Sequence, residues 1–160
     1  MTAKKILYLL TVLFFFHACE FSDDYSDYSF PNVIEIASSK DALSFVYNHM
    51  SYISDVERYH KPDYWQLPEE SYILETGDCE DYAIFFMYLL HEKLGIDSHF
   101  VLLAEKKNFM LGHALCFANN KYYDPSTNYS GSLDSLLERF SVKEIIPYDD
   151  VMNFLIYYHR

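Results

Sequence analysis

The sequence predicts an α+β fold in which helices come first and mostly antiparallel strands follow. Three observations carry this reading. Apolar residues repeat with the 3.6-residue helical period through the first half of the chain and form short strand-like runs in the second. Two of those runs flank Asn119-Asn120, a pair suited to the positive φ angles of a two-residue hairpin turn. The third observation is size: 160 residues, 51% hydrophobic and 22% charged, are enough for one core in one domain.

Residues 1–18 read as an address rather than as structure. Lys4 and Lys5 precede the eleven-residue apolar run Ile6 to Phe16, which is shorter than the ~20 residues needed to span a bilayer. The run ends at His17-Ala18-Cys19, which resembles the lipobox of bacterial lipoproteins and marks Cys19 as the lipidation site. An uncleaved anchor and an ordinary cleaved signal are the alternatives, and each takes the chain out of the cytoplasm. Residues 19–32 are acidic, Ser-rich and nearly closed by Pro31, the composition of a solvated tether, which leaves 33–160 as the domain.

Within the domain, Ser38 or Ser39 caps a predicted helix with apolar positions Leu43, Val46, Tyr47, Met50 and Ile53. Pro68 followed by Glu69 and Glu70 suits the first turn of a second helix, ahead of a break at Thr76-Gly77. From Cys79, the stripe Ala83, Phe86, Met87, Leu90 and Leu94 predicts a helix over 79–94, with Gly95 at its left-handed C-terminal cap. Strands are predicted at 99–104, 112–118, 121–124 and 142–146. Leu133, Leu136, Leu137 and Phe140 repeat the helical period, as do Val151, Phe154, Leu155 and Tyr158.

Charge narrows the partners. Twelve basic against 24 acidic side chains give a net charge of −12, which disfavours nucleic acid and anionic lipid surfaces and suits cations. Three cysteines are too few for a disulfide scaffold.

The chemistry centres on Cys79. At a helix N-terminus, free N–H groups and the dipole favour thiolate, so a nucleophile belongs there. Pairing Ala118 with Lys121 across the Asn-Asn turn sets Cys116 opposite Tyr123 and puts His113 and Asp124 on one face as diagonal neighbours. Cys116 points to the other face. Cys79 as nucleophile, His113 as base and Asp124 as orienting carboxylate form an acyl-transfer triad. The Cys79 N–H and a side chain from Trp65 or Gln66 are the oxyanion donors. Taken singly, each residue has a plain structural reading; a zinc site of Cys79, His113, Cys116 and Asp124 is set aside because Cys116 faces away.

Trp65-Gln66-x-Pro68, Gly77-Asp78-Cys79-Glu80-Asp81-Tyr82-Ala83, Gly112-His113-Ala114 and Tyr123-Asp124-Pro125 together resemble the transglutaminase-like superfamily, and most closely the bacterial transglutaminase-like cysteine peptidases. The resemblance covers about residues 60 to 130. It implies a papain-like core whose central helix carries Cys79 against a mainly antiparallel sheet, and an enzyme that acts on a protein or peptide; together with the lipobox at Cys19, the expectation is a lipid-anchored cell-envelope enzyme facing periplasm or exterior. It requires no cofactor, although in some periplasmic members the acids flanking the nucleophile bind calcium, which corresponds here to Asp78 and Glu80. Peptide-bond hydrolysis is the first expectation, protein cross-linking or Gln deamidation the second, and a non-catalytic transglutaminase-like binding module the rival.

Overall fold

The computed structural model describes residues 34–108 and 112–159 of the chain. The predicted signal segment 1–18, Cys19 and the tether 19–32 lie outside the described residues.

Helix α1, Ser39–His49, starts where Ser38 Oγ accepts the Asp41 N–H at 3.2 Å. Its apolar period continues in sequence to Ile53, yet the helix stops at His49. The chain turns extended at Met50, and β1, Ser51–Tyr52, pairs in parallel with β2, Thr76–Gly77. Backbone bonds from Ser51 to Glu75 and from Ile53 to Gly77 replace helical ones, so the expected Thr76-Gly77 break is a strand contact. A short helix α2, Asp55–Tyr59, follows, capped by Ser54. Helix α3, Pro68–Leu74, begins at Pro68 as expected, and Glu70 Oε2 accepts the Leu67 N–H at 2.7 Å.

Helix α4, Cys79–Leu94, has the predicted bounds and ends on Gly95 at φ 61°. The sequence shows one apolar stripe, but the helix is buried on nearly every side. Phe86 packs on Tyr123 of the sheet, while Phe85 meets Phe45, His49 and Tyr72 on α1 and α3. Fully burying such side chains contributes roughly 1.5–3 kcal/mol each, so α4 is the axis of the core.

Five strands form an antiparallel sheet in the order β6-β5-β4-β3-β7. They are β3 His99–Glu105, β4 Gly112–Ala118, β5 Lys121–Asp124, β6 Tyr129–Gly131 and β7 Phe140–Pro147. The β4–β5 turn holds Asn119 and Asn120 at φ 49° and 60°, and Cys116 pairs with Tyr123, both as the sequence predicts. Phe100, Ala114, Cys116, Ala118 and Tyr123 face α4. Val101, Leu103 and Leu115 face the other way, where Leu133 and Phe140 cover them. Helix α5, Asp134–Arg139, ends before Phe140, which the helical period includes; burial of Phe140 in this second cluster makes it the first residue of β7 instead. Helix α6, Tyr148–Tyr158, closes the chain and buries Val151 and Leu155. Among the described residues no helix is long and apolar enough to cross a membrane.

Candidate active site

The N-terminus of α4 faces the ends of β3 and β4 across a cleft of about 460 Å³. Cys79 and His113 both line it, the thiol lying against the Ala114 backbone next to His113, with Tyr52, Trp65, Leu102 and Lys143 also in the lining.

His113, near the start of β4, and Asp124, at the end of β5, meet as the hairpin register requires: Nε2 lies 2.8 Å from Asp124 Oδ2. Asp124 Oδ1 accepts from the Ser126 hydroxyl at 2.6 Å and from its N–H at 3.2 Å. Burial alone would raise this carboxyl, but the hydrogen bond and charge of His113, with Ser126 and Thr127, hold it below the ordinary aspartate range. With Nε2 on the carboxylate, Nδ1 is the nitrogen left for proton exchange with a thiol. Cys116 is buried on the opposite face of the sheet, against α4.

The thiol departs from the expectation. Cys79 Sγ donates to Glu80 Oε2 at 3.1 Å, and among the described residues it makes no hydrogen bond to His113. Burial first, then the charge and hydrogen bond of Glu80, then the charge of Asp78 push the thiol well above its ordinary value. The dipole of α4 and a hydrogen bond from the Ala114 backbone act in the other direction, and burial with the Glu80 interaction outweighs them. In this arrangement Cys79 donates its S–H to Glu80, and its thiol is shifted away from ready ionisation.

The two expected oxyanion donors separate. Gln66 is wholly buried and outside the cleft: its Nε2 donates to Thr76 O at 3.1 Å and its Oε1 accepts from Ser71 at 3.0 Å. That side chain holds the segment before α4 in place and does not line the cleft. Trp65 does line the cleft, with its indole N–H directed at Asp63 Oδ1 at 3.0 Å.

Around Cys79 stands a dense group of carboxylates. Oxygens of Asp55, Asp63 and Glu80 lie within 4.8 Å of one another, as do those of Asp55, Asp78 and Asp81. Asp81 is committed to the fold, because it accepts the Gln66 N–H at 2.8 Å and the Asp78 N–H at 3.1 Å. Gly77 lets Asp81 come this close: a Cβ there would sit 2.6 Å from Asp81 Cβ and Oδ2. Asp55, also buried, accepts the Tyr64 N–H at 2.6 Å. Asp78 Oδ1 is buried without a hydrogen-bond partner. Burial, with the neighbouring acids, pushes Asp55 up to about 6 and Asp78 up to about 8. Oxygen-rich, crowded and incompletely hydrogen-bonded, Asp55, Asp63, Asp78 and Glu80 have the donor chemistry of a hard divalent cation site. Sequence reading singles out Asp78 and Glu80 but misses Asp55 and Asp63, whose approach depends on the β1–β2 contact and the chain between α2 and α3.

No protein-family profile matches the chain, and no curated protein matches it. Among solved structures, calcium-bound LapG of Legionella pneumophila is similar, with a TM-score of 0.51 at 19% identity over 68% of this chain and 62% of LapG. The chain thus spans less than two thirds of LapG. What they share is the fold, an α+β core whose helix here carries Cys79 against a mainly antiparallel sheet.

Proposed function

We propose that this protein is a cell-envelope lipoprotein, anchored through Cys19 and facing periplasm or exterior, whose domain hydrolyses peptide bonds with Cys79, His113 and Asp124. The 2.8 Å pairing of His113 Nε2 with Asp124, in the cleft that Cys79 also lines, carries the reading. The shared fold with LapG, a cysteine protease, supports hydrolase chemistry of this class, and protein or peptide is then the substrate.

In the proposed mechanism His113 Nδ1 takes the Cys79 proton and the sulfur attacks the amide carbonyl. The Cys79 N–H and the Trp65 indole N–H face the developing oxyanion, the latter after leaving Asp63. The imidazolium, oriented by Asp124, protonates the departing amine, and the thioester is then hydrolysed by water activated by the same imidazole. Asp55, Asp63, Asp78 and Glu80 are the residues that would hold calcium, which would supply positive charge beside the thiol. Glu80 and Asp78 are the carboxylates whose charges raise the thiol, and the calcium carried by LapG supports the assignment.

One observation favours the rival, a binding module in which His113–Asp124 is structural: the thiol is bonded to Glu80 instead of His113. Amide transfer to an amine, or Gln deamidation, uses the same residues with a different acceptor. Cys79→Ala decides between enzyme and module. It is expected to abolish peptide cleavage by the full chain while leaving the circular dichroism spectrum intact, whereas full turnover by the variant removes the proposal.

A further inference from the structure

The β3–β7 pairing carries one irregularity, and it falls beside the cleft. Leu102 pairs with Glu144 and Leu103 with Val142, so Lys143 is an extra residue, a β-bulge on the strand at the sheet's border. A bulge sets two residues against one partner and re-aims the side chain at the extra position. Lys143 is exposed, lines the cleft and makes no ion pair among the described residues. The other charged or titratable side chains in the lining are Tyr52, Asp63, Asp78, Cys79, Glu80 and His113, so among the described residues Lys143 is the single permanent cation of an acidic cleft.

Its distance from the reacting groups follows from the register. His113 stands opposite Leu103, and Leu103 opposite Val142, one residue short of Lys143. Two inter-strand steps put Lys143 about 10 Å from His113, the length of roughly three residues of extended peptide. Leu102, Leu103 and Ala104 of β3 lie in the wall between them.

We propose that Lys143 determines specificity by receiving an Asp or Glu side chain two or three residues from the bond that is cleaved. This rests on the peptide-hydrolysis reading above. A lysine head on a flexible stem accepts either carboxylate, and its exposure limits discrimination to a few-fold.

Two measurements on the full chain test this. The first uses peptide pairs differing only by Asp or Asn at each position around the cleaved bond. The wild type is expected to favour Asp about fivefold in kcat/KM at one position two or three residues away, and Lys143→Glu to reverse that preference. A preference for Asp that survives Lys143→Met overturns the proposal. The second needs no turnover: the rate of Cys79 alkylation by iodoacetate relative to iodoacetamide, read on the isolated Cys79 peptide. At low ionic strength this ratio is expected to fall about twofold in Lys143→Met and about fourfold in Lys143→Glu, while Lys121→Glu leaves it unchanged. A ratio indifferent to Lys143 overturns the proposal whatever the peptides show. A falling ratio with no peptide cleaved removes the hydrolysis reading and supports Lys143 as the anion contact of the cleft.

Discussion

Cys79 and Glu80, adjacent in the chain, are joined by a thiol-to-carboxylate hydrogen bond of 3.1 Å. The thiol is therefore held as a hydrogen-bond donor by the residue beside it, while the imidazole proposed to take its proton is itself positioned on Asp124. Under the proposed mechanism, whatever neutralises Glu80 frees the thiol proton for His113.

Calcium should therefore set the reactivity of the thiol. With the cation chelated, alkylation of Cys79 is expected to be slow at neutral pH and to climb about tenfold per pH unit without a plateau by pH 9, because the folded thiol lies above its ordinary value. Millimolar calcium is expected to raise the rate at pH 7 by about tenfold or more. Mass-resolved labelling at Cys79 checks this, and identical rates with calcium and with chelator would refute it.

Glu80→Gln should achieve part of the same effect without metal. It removes the largest charge acting on the thiol and keeps the side chain's length. Alkylation in chelator is expected to rise several-fold at pH 7 to 8, with a correspondingly smaller response to calcium.

Asp124→Asn addresses the other half of the site. It preserves shape but removes the charge that orients His113, so turnover is expected to fall by about 10²–10⁴. The carboxyl is depressed in the folded state, so its contribution to stability is present above the unfolded aspartate value of about 3.8 and disappears as pH falls through the lower folded value. Acid unfolding followed by circular dichroism should accordingly be less steep below pH 4 in the variant.

Gln66→Ala separates structural from chemical use of a residue. Its three hydrogen bonds tie it to Asp81, Thr76 and Ser71, and two of those partners lose a bond when the side chain is removed. A loss of about 1–3 kcal/mol in urea unfolding is expected. An unchanged stability with reduced kcat would instead restore Gln66 as an oxyanion donor.

Much of this site could be read from residue order, for a specific reason. Local rules govern it: helix 79–94 follows from one apolar period and a terminal glycine, and the meeting of His113 and Asp124 follows from the turn at Asn119-Asn120, which fixes the register. The parts that escaped are set by contacts between distant segments. Met50 and Ile53 continue a helical pattern, yet the β1–β2 contact claims that stretch. Phe140 fits a helix but is drawn into strand by the cluster beneath it. The state of the thiol escaped for the same reason. A helix N-terminus can be recognised in sequence, but the burial that outweighs it, with Glu80 turned onto the sulfur, arises only when the cleft forms around Cys79.

Asp81 has a consequence for how the protein moves. Its two oxygens grip the amides of Gln66 and Asp78, one on the wall that bears Trp65 and the other at the head of α4. A carboxylate clamped to both segments makes them open together or not at all, so the two amides should exchange with deuterium as one cooperative unit. Thermal breathing of the cleft would then come from the opposing sheet side, while the half of the site that holds the sulfur stays rigid until the domain unfolds.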